Sequence, residues 1–437
     1  MITSPAWKGR KYAVLGLARS GRATVVALLA AGAQVTAWDE KSEARAPFEG
    51  RCDLRDPLEI DLTGFDGVVV SPGVPLNTHP IKPHADRYGV PVIGDIELFA
   101  QARGDLPPHK VVGITGTNGK STTTALVHHI LKEAGVPTTM GGNIGLPILE
   151  QEPLPDGGVY VLELSSYQID LTLSLDCDVA VLLNITPDHL DRYDGNFDAY
   201  AASKSRLFAM QTRGHNSIAR FTDARSLGPF AEGSIASILE DVLANRGIAP
   251  SEQANWPSLQ GPHNLENAAA AIEACDILGL STEQIREALR TFPGLPHRME
   301  RVGEHRGVLY VNDSKATNTA AAAPALAAFD KIHWIVGGRA KEPGLGECEP
   351  HMDRVTAAYT IGEAGDAFAE ALAPHCAVSR CGTLEKAVEL ASQVARSGET
   401  VLLSPACASF DQFRDFEERG DRFRTLVRAL ADTGGMP

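Results

Sequence analysis

The stretch GITGTNGKST, residues 113–122, packs three glycines, a lysine and four hydroxyl side chains into ten positions. It follows the apolar run VVGIT (111–115), a strand pattern, and a helical pattern begins after Lys120. It departs from the strict phosphate-loop form G-x-x-x-x-G-K-[ST], which needs glycine where this chain has Ile114. The glycines fall instead at 113, 116 and 119. The shift moves the loop entrance but leaves G-K-S at the helix start. Glycines there let backbone amides approach phosphate oxygens, the helix N-terminus adds positive potential, and a lysine neutralises charge. A hydroxyl from Ser121 or Thr122 can ligate Mg²⁺. The alternative is a plain strand–helix turn. The density of glycine, lysine and hydroxyl favours a site for ATP or GTP built from Gly116, Thr117, Asn118, Gly119, Lys120, Ser121 and Thr122.

Outward from that loop the chain reads as three α/β blocks. Before it, KYAVLGL (11–17), QVTAWD (34–39) and GFDGVVVSPGV (64–74) read as strands, with a helix over 19–32. QARGDLPPHK (101–110) has linker character. After the loop, GVYVLELS (158–165) and DVAVLLNIT (178–186) are continuous apolar runs, as expected of parallel strands covered on both faces. The third block offers strands at 307–313, 331–338, 357–362 and 399–406, and TAAAAPALAAF (319–329) reads as a helix. Alternating strands and helices predict parallel sheets.

Ligands of such sheets lie beyond the carboxyl ends of the strands. One such end carries Glu163, a carboxylate in an apolar run that costs several kcal/mol unless paired or bound to metal. Another carries Asn184, Asp188, His189 and Asp191 in NITPDHLDRY, so Glu163 and His189 are candidate Mg²⁺ ligands. Taken alone, His189 reads rather as a helix-start residue and Asp188 as a cap; only the shared sheet edge brings metal binding level with that reading. In the first block GLARSG is not a dinucleotide fingerprint, yet Asp39 ends a strand where a carboxylate can meet a ribose. With Gly73 in SPGV it suggests a nucleotide-containing substrate; a structural turn is the alternative.

Composition narrows the classes. Hydrophobic residues at 43% and charged residues at 22% fit an ordinary globular chain of two or three domains. No apolar run is long enough to span a membrane. A net charge of −15 argues against a nucleic-acid backbone as partner. Seven cysteines without zinc spacing predict free thiols in a reducing cytoplasm.

Together, GTNGKST, ELSSYQ, NITPDHLDRY, GPHNLEN, GLPHRME, NDSKATN and SPACASFDQF resemble the Mur ligases, in matching order along the chain. NDSKATN and SPACASFDQF point to the glutamate-adding branch. The resemblance implies three domains: a Rossmann-like domain for a UDP-linked substrate (1–104), a central P-loop ATPase-like domain (105–296) and a Rossmann-like domain for the amino acid (297–437). The implied reaction joins D-glutamate to UDP-N-acetylmuramoyl-L-alanine through an acyl phosphate, with ATP and two Mg²⁺, in a cytoplasmic monomer.

Residue by residue, Lys120 would hold phosphates, and Ser121, Glu163 and His189 would surround Mg²⁺. Lys204 would carry a carbamate helping to bind a second Mg²⁺; from sequence alone it reads as a surface lysine. Asn143, Ser165 and Gln168 would contact the muramoyl-alanine part, and Arg19, Ser20, Asp39 and Gly73 the uridine nucleotide. Asn267 would lie near adenine, although Asn264 and Asn267 also read as helix caps. Arg298 and Asp313 would add nucleotide contacts. Lys315, Thr317, Lys341, Ser409 and Phe416 match positions that hold glutamate. The rival readings are a ligase for another amino acid, a folylpolyglutamate-type ligase, and a nucleotide-switched binding protein.

Overall fold

The computed structural model describes residues 1–188, 190–219 and 235–433. The chain forms two compact units, one of Met1–Ile248 with Ala269–Ala288 and one of Ala249–Ala268 with Leu289–Pro437.

The first unit holds two parallel sheets. One comprises β1 (Lys11–Leu15), β2 (Gln34–Trp38), β3 (Gly67–Val70) and β4 (Val92–Ile93) in the order β2-β1-β3-β4. The other comprises β5 (His109–Thr115), β6 (Thr138–Gly142), β7 (Gly158–Glu163), β8 (Val179–Leu182), β9 (Asn216–Ala219) and β10 (Ile235–Ile238). Its order is β10-β9-β8-β5-β7-β6, every pair parallel. All residues of β7 and β8 are buried, as their unbroken apolar runs require when both faces are covered. β5, at the centre, delivers the glycine loop, and the helix Lys120–Glu133 starts directly behind Gly119.

The segment 101–110 is not a free linker. Phe99, in the helix Asp95–Ala102, sets its ring edge-on to Tyr160 of β7 at 5.0 Å. Arg103 donates to Asp178 at 3.3 Å and to the carbonyl of Asp176. One continuous apolar core, including Trp7, Val25, Phe99, Tyr160 and Leu182, lies under both sheets.

The second unit carries β11 (Glu300–His305), β12 (Val308–Asn312), β13 (Ile332–Gly337), β14 (Val355–Ile361), β15 (Ala377–Gly382) and β16 (Thr400–Leu403). They are ordered β11-β12-β16-β13-β14-β15, with only β11 antiparallel among the pairs. Separate cores built around Trp334 and Tyr359 belong to this sheet. The alanine-rich stretch forms the helix Thr319–Ala328, capped by Asn318, whose side-chain oxygen accepts from the Ala321 amide at 2.7 Å. The expected strands are present, most of them shortened at their ends, while β5 and β14 each begin two residues earlier than expected. β4, β6, β9, β10, β11 and β15 carried no such expectation. No helix among the described residues is long and apolar enough to cross a membrane.

Candidate functional site

The glycine loop is held from the neighbouring strand end. Gly116, at φ +151°, passes so close to Leu183 that an added Cβ would sit 3.0 Å from its Cβ. Gly119, at φ +83°, turns the chain into the helix. Asn184 fixes the middle of the loop: its Oδ1 accepts from the Asn118 amide at 2.8 Å, and its Nδ2 donates to the Asn118 carbonyl at 3.1 Å. The Thr117 amide donates to the Asn184 carbonyl at 2.9 Å, and the Thr117 hydroxyl donates to the Thr186 carbonyl at 3.0 Å. With those two amides engaged, the helix N-terminus at Lys120 and buried Ser121 is the part placed to meet phosphate oxygens. Thr122 is half-buried on the same first turn. Asn184 stands in the sequence only as one of the polar residues at that strand end, a position that carries no hint of a bracing role. A loosened loop is the expected result of Asn184→Ala: ATP affinity should fall about tenfold in titration calorimetry, the two lost bonds setting the scale.

Two lysines share this loop. Lys120 Nζ donates to the carbonyls of Gly116 (2.8 Å) and Thr117 (2.7 Å). Lys204, in the helix Phe197–Ala209, is 2% exposed and donates to the same Gly116 carbonyl at 2.9 Å. It is no surface lysine. Burial and the positive charge of Lys120 push its pKa down to about 7, against the partial support of Asp188 and Asp170. Its ammonium lies 4.6 Å from the centre of the Tyr200 ring, one helical turn earlier. The Tyr200 hydroxyl meets the Thr117 hydroxyl at 3.0 Å, and burial raises its pKa to about 12. Sequence reasoning missed Tyr200, although the i, i+4 spacing in YAASK carried the signal.

Glu163 ends β7 and is 2% exposed. Its Oε1 accepts from Asn143 Nδ2 at 2.9 Å, and its carbonyl accepts from the Asn143 amide at 2.9 Å. Gly142 makes this approach possible, since a Cβ there would sit 2.1 Å from the Glu163 carbonyl oxygen. Glu163 Oε2 is buried with no hydrogen-bond partner among the described residues. An acceptor-only oxygen left in that state fits a cation. No cluster of three or more His, Cys, Asp or Glu able to hold a metal lies among the described residues, and His189 lies outside them.

Ser165 and Gln168 form a capping box on the helix Ser166–Asp170: the Gln168 amide donates to Ser165 Oγ at 3.3 Å, and Gln168 Oε1 accepts from the Ser165 amide at 3.1 Å. Gln168 is buried by that role. In the first sheet, Asp39 Oδ2 accepts from the Leu17 amide at 2.7 Å and its Oδ1 from the Lys41 amide at 3.0 Å, so this carboxylate braces the turn after β1. Arg19 opens the helix Arg19–Ala30 and donates to the Gly145 carbonyl at 2.7 Å, with Ser20 beside it on the first turn. Gly73 stands on the loop after β3.

A cavity of about 300 Å³ gathers several of these groups: Gly73, Lys120, Asn143, Ser165 and Lys204 all line it. Pro72, Tyr167, Asp188, Arg192 and Tyr200 complete much of its wall.

The second unit assembles its own cluster. The turns 313–317 and 406–409 and Phe416 are tied together by Arg419, 1% exposed. Arg419 donates to Ser314 Oγ (3.0 Å), the Ser314 carbonyl (2.8 Å) and the Cys407 carbonyl (3.0 Å). Burial lowers its pKa to about 10. Ser314 Oγ in turn donates to the Phe416 carbonyl at 2.8 Å, and Lys315 Nζ lies 4.2 Å from the centre of the Phe416 ring. Ser409 is buried, and half-buried Thr317 follows on the first of these turns. Lys341 is exposed on the turn after Arg339 and makes no hydrogen bond or ion pair among the described residues. Arg419 was absent from the sequence reading because FEERGDRF reads as a solvated helix face.

Asp313 accepts from the Met299 amide at 3.2 Å and from Ser404 Oγ at 2.8 Å, and burial raises its pKa to about 7 despite nearby Arg298. His297 and Met299, flanking Arg298, take left-handed backbone at φ +61° and +49°. Asn264 and Asn267 are not helix caps. Both lie inside the helix Pro262–Ile277, where Asn267 Nδ2 donates to Asn264 Oδ1 at 3.1 Å.

Known proteins resemble this chain along its whole length. The family profile described as Mur ligase middle domain matches residues 114–232, and that described as Mur ligase, glutamate ligase domain matches 297–407. A UDP-N-acetylmuramoylalanine–D-glutamate ligase of Novosphingobium aromaticivorans is 62% identical over 437 residues, covering 100% of this chain and 98% of its own. That of Sphingopyxis alaskensis is 60% identical, covering 98% of this chain and 100% of its own. Among solved structures, the MurF ligase of Thermotoga maritima in complex with ADP shares the fold at TM-score 0.59 and 16% identity. It covers 99% of this chain and 97% of its own. UDP-N-acetylmuramate–alanine ligase MurC of the same organism does so at TM-score 0.57 and 17% identity, over 96% and 99%. With a glycine loop braced by Asn184, a buried lysine beside it and relatives of this identity over its full length, the chain belongs to the Mur ligase family, in the branch of the UDP-N-acetylmuramoylalanine–D-glutamate ligases.

Proposed function

We propose that this chain is an ATP-dependent ligase that adds D-glutamate to UDP-N-acetylmuramoyl-L-alanine during peptidoglycan precursor synthesis in the cytoplasm, acting as a monomer. One observation carries the reading. A single cavity is faced by the phosphate-loop Lys120, by buried Lys204 and by Gly73 of the loop assigned to the nucleotide substrate. The ends of two substrates can meet there.

The alanyl carboxylate oxygen attacks the γ-phosphorus of ATP, and ADP leaves. The glutamate amine then attacks the acyl carbon to give a tetrahedral adduct and loses a proton; the bond from that carbon to the bridging phosphate oxygen breaks, and phosphate departs with its electron pair. A carboxylate resists an amine until its oxygen becomes phosphate, and phosphoryl transfer depends mainly on positioning and charge neutralisation. Lys120 supplies charge at the phosphates, with Gly116–Thr122 as the cradle. Asn143, Ser165 and Gln168 line or brace the muramoyl-alanine end, and Arg19, Ser20, Asp39 and Gly73 the nucleotide end. Ser121, Glu163 and His189 are assigned to Mg²⁺, which neutralises phosphate oxygens when bound. The orphaned Glu163 Oε2 supports that assignment.

Lys204 is assigned a carbamate and a share of a second Mg²⁺; its lowered pKa supplies the uncharged amine that addition of CO₂ requires. Asn267, Arg298 and Asp313 are assigned to the nucleotide of ATP. Lys315, Thr317, Lys341, Ser409 and Phe416 are assigned to glutamate. Residues 1–104, 105–296 and 297–437 are assigned as the corresponding domains.

The test is phosphate release with ATP, Mg²⁺ and UDP-N-acetylmuramoyl-L-alanine against a panel of D- and L-amino acids. Turnover with D-glutamate alone, giving a product heavier by one glutamyl residue, is the expected result. Turnover with another amino acid or with a folate acceptor would replace the substrate, and ATP binding without acceptor dependence would overturn the ligase.

A further inference from the structure

Arg192, in the short turn Leu190–Tyr193, belongs to no motif role given above. Its guanidinium reaches from the central sheet to the loop after β3. Nη1 donates to the Val74 carbonyl at 3.0 Å and Nη2 to the Gly73 carbonyl at 2.9 Å. Its guanidinium carbon lies over the Tyr167 ring, 4.6 Å from the centre, and Tyr167 is stacked in turn on Tyr193. A second tie joins the same two segments, Asn77 Nδ2 donating to the Asp191 carbonyl at 2.9 Å. Gly73 has no packing of its own on the side where a side chain would stand, since a Cβ built there meets no heavy atom within 4 Å. Arg192, Tyr167, Gly73, Lys120 and Lys204 border one cavity.

We propose that Arg192 is a positioning residue for the acceptor: its guanidinium fastens the Gly73–Val74 loop to the turn Leu190–Tyr193, holding the acceptor end in register with Lys120 and Lys204. The proposal rests on the ligase reading above. The geometry calls for arginine in particular. A planar fork serves two carbonyls at once while its charge lies over an aromatic ring; an ammonium can satisfy only part of that arrangement. Since the tied loop bears on the acceptor and not on ATP, the effect is selective.

The experiment compares Arg192→Met and Arg192→Lys with the unaltered enzyme in steady-state kinetics, alongside calorimetric binding of UDP-N-acetylmuramoyl-L-alanine and thermal melting. Both variants are expected to raise KM and Kd for the acceptor, Arg192→Met by about tenfold or more, the scale of a lost charged hydrogen bond. Arg192→Lys should fall between it and the unaltered enzyme. The KM for ATP should stay within about twofold, the split that marks a loss of acceptor binding alone. If Arg192→Met does not fold, Arg192→Lys decides. A folded variant with unchanged acceptor KM and Kd would overturn the proposal, as would a parallel loss for both substrates. Failure of the ligase reading would look different: the unaltered enzyme itself would release no acceptor-dependent phosphate.

Discussion

Lys120→Ala is expected to lower ATP-dependent phosphate release by about 10³-fold, the scale of removing a preorganised charge from a developing transition state. The fold should survive. Lys120 is half-buried, and it donates to carbonyls of its own loop, Gly116 and Thr117. Loss of those bonds costs roughly 1–3 kcal/mol, a melting shift of a few degrees. A companion effect is expected at Lys204. After burial, the charge of Lys120 is what depresses the Lys204 pKa, so its removal should let that pKa rise. Near-normal turnover by a folded Lys120→Ala enzyme would remove the phosphate role from this loop.

Lys204→Ala should cost about as much, on the order of 10³-fold, if a carbamate on this amine supplies charge at the site. CO₂ adds only to the free amine, forming a carbamate anion and releasing one proton. With a pKa near 7, that amine is largely uncharged at pH 8 and largely charged at pH 6. Enzyme in CO₂-stripped buffer should therefore lose activity and regain it with bicarbonate, faster at pH 8 than at pH 6. A ¹³C carbamate resonance that appears with labelled bicarbonate and is missing in Lys204→Ala identifies the adduct. Full activity without CO₂ would sink the assignment.

Stability offers an independent reading of the same burial. The folded pKa lies below the unfolded value of about 10.4. Below about pH 7 both states are protonated and the buried charge costs its full amount. From there upward the unfolded chain holds the extra proton, so stability rises with pH. Lys204→Met should thus raise the melting temperature more at pH 6 than at pH 9.

The interior strands were legible because parallel strands covered on both faces must be apolar throughout, as VYVLE and VAVL are. The strands that escaped are mainly edges. β6 reads TTMGG, β11 ERVGEH and β15 AVSRCG, each mixing polar with apolar residues because one side has no neighbouring strand. Glycine spacing and the position of Glu163 at a strand end were readable because backbone geometry and burial cost act locally. Asn184, Tyr200 and Arg419 were not read as structural partners, because their roles arise between segments. Arg419 meets Ser314 from 105 residues away, and no window along the chain holds both. Ser165 and Gln168 show the opposite limit. Their capping box is present in SSYQ as an S-x-x-Q signature, in the same stretch that the family resemblance assigns to substrate.

The core shared by the first two sheets bears on how such an enzyme can be dismantled. Trp7 and Val25 of the first sheet's layer and Tyr160 and Leu182 of the second belong to one buried cluster, with Phe99 between them. A fragment ending near residue 104 would expose that face to water, and so would a fragment beginning there. The portion proposed to recognise the acceptor is therefore no detachable cassette. Transplanting it onto another catalytic body would demand matching apolar relief across the seam, so changes of acceptor specificity are reached more readily by editing loops than by exchanging whole folds.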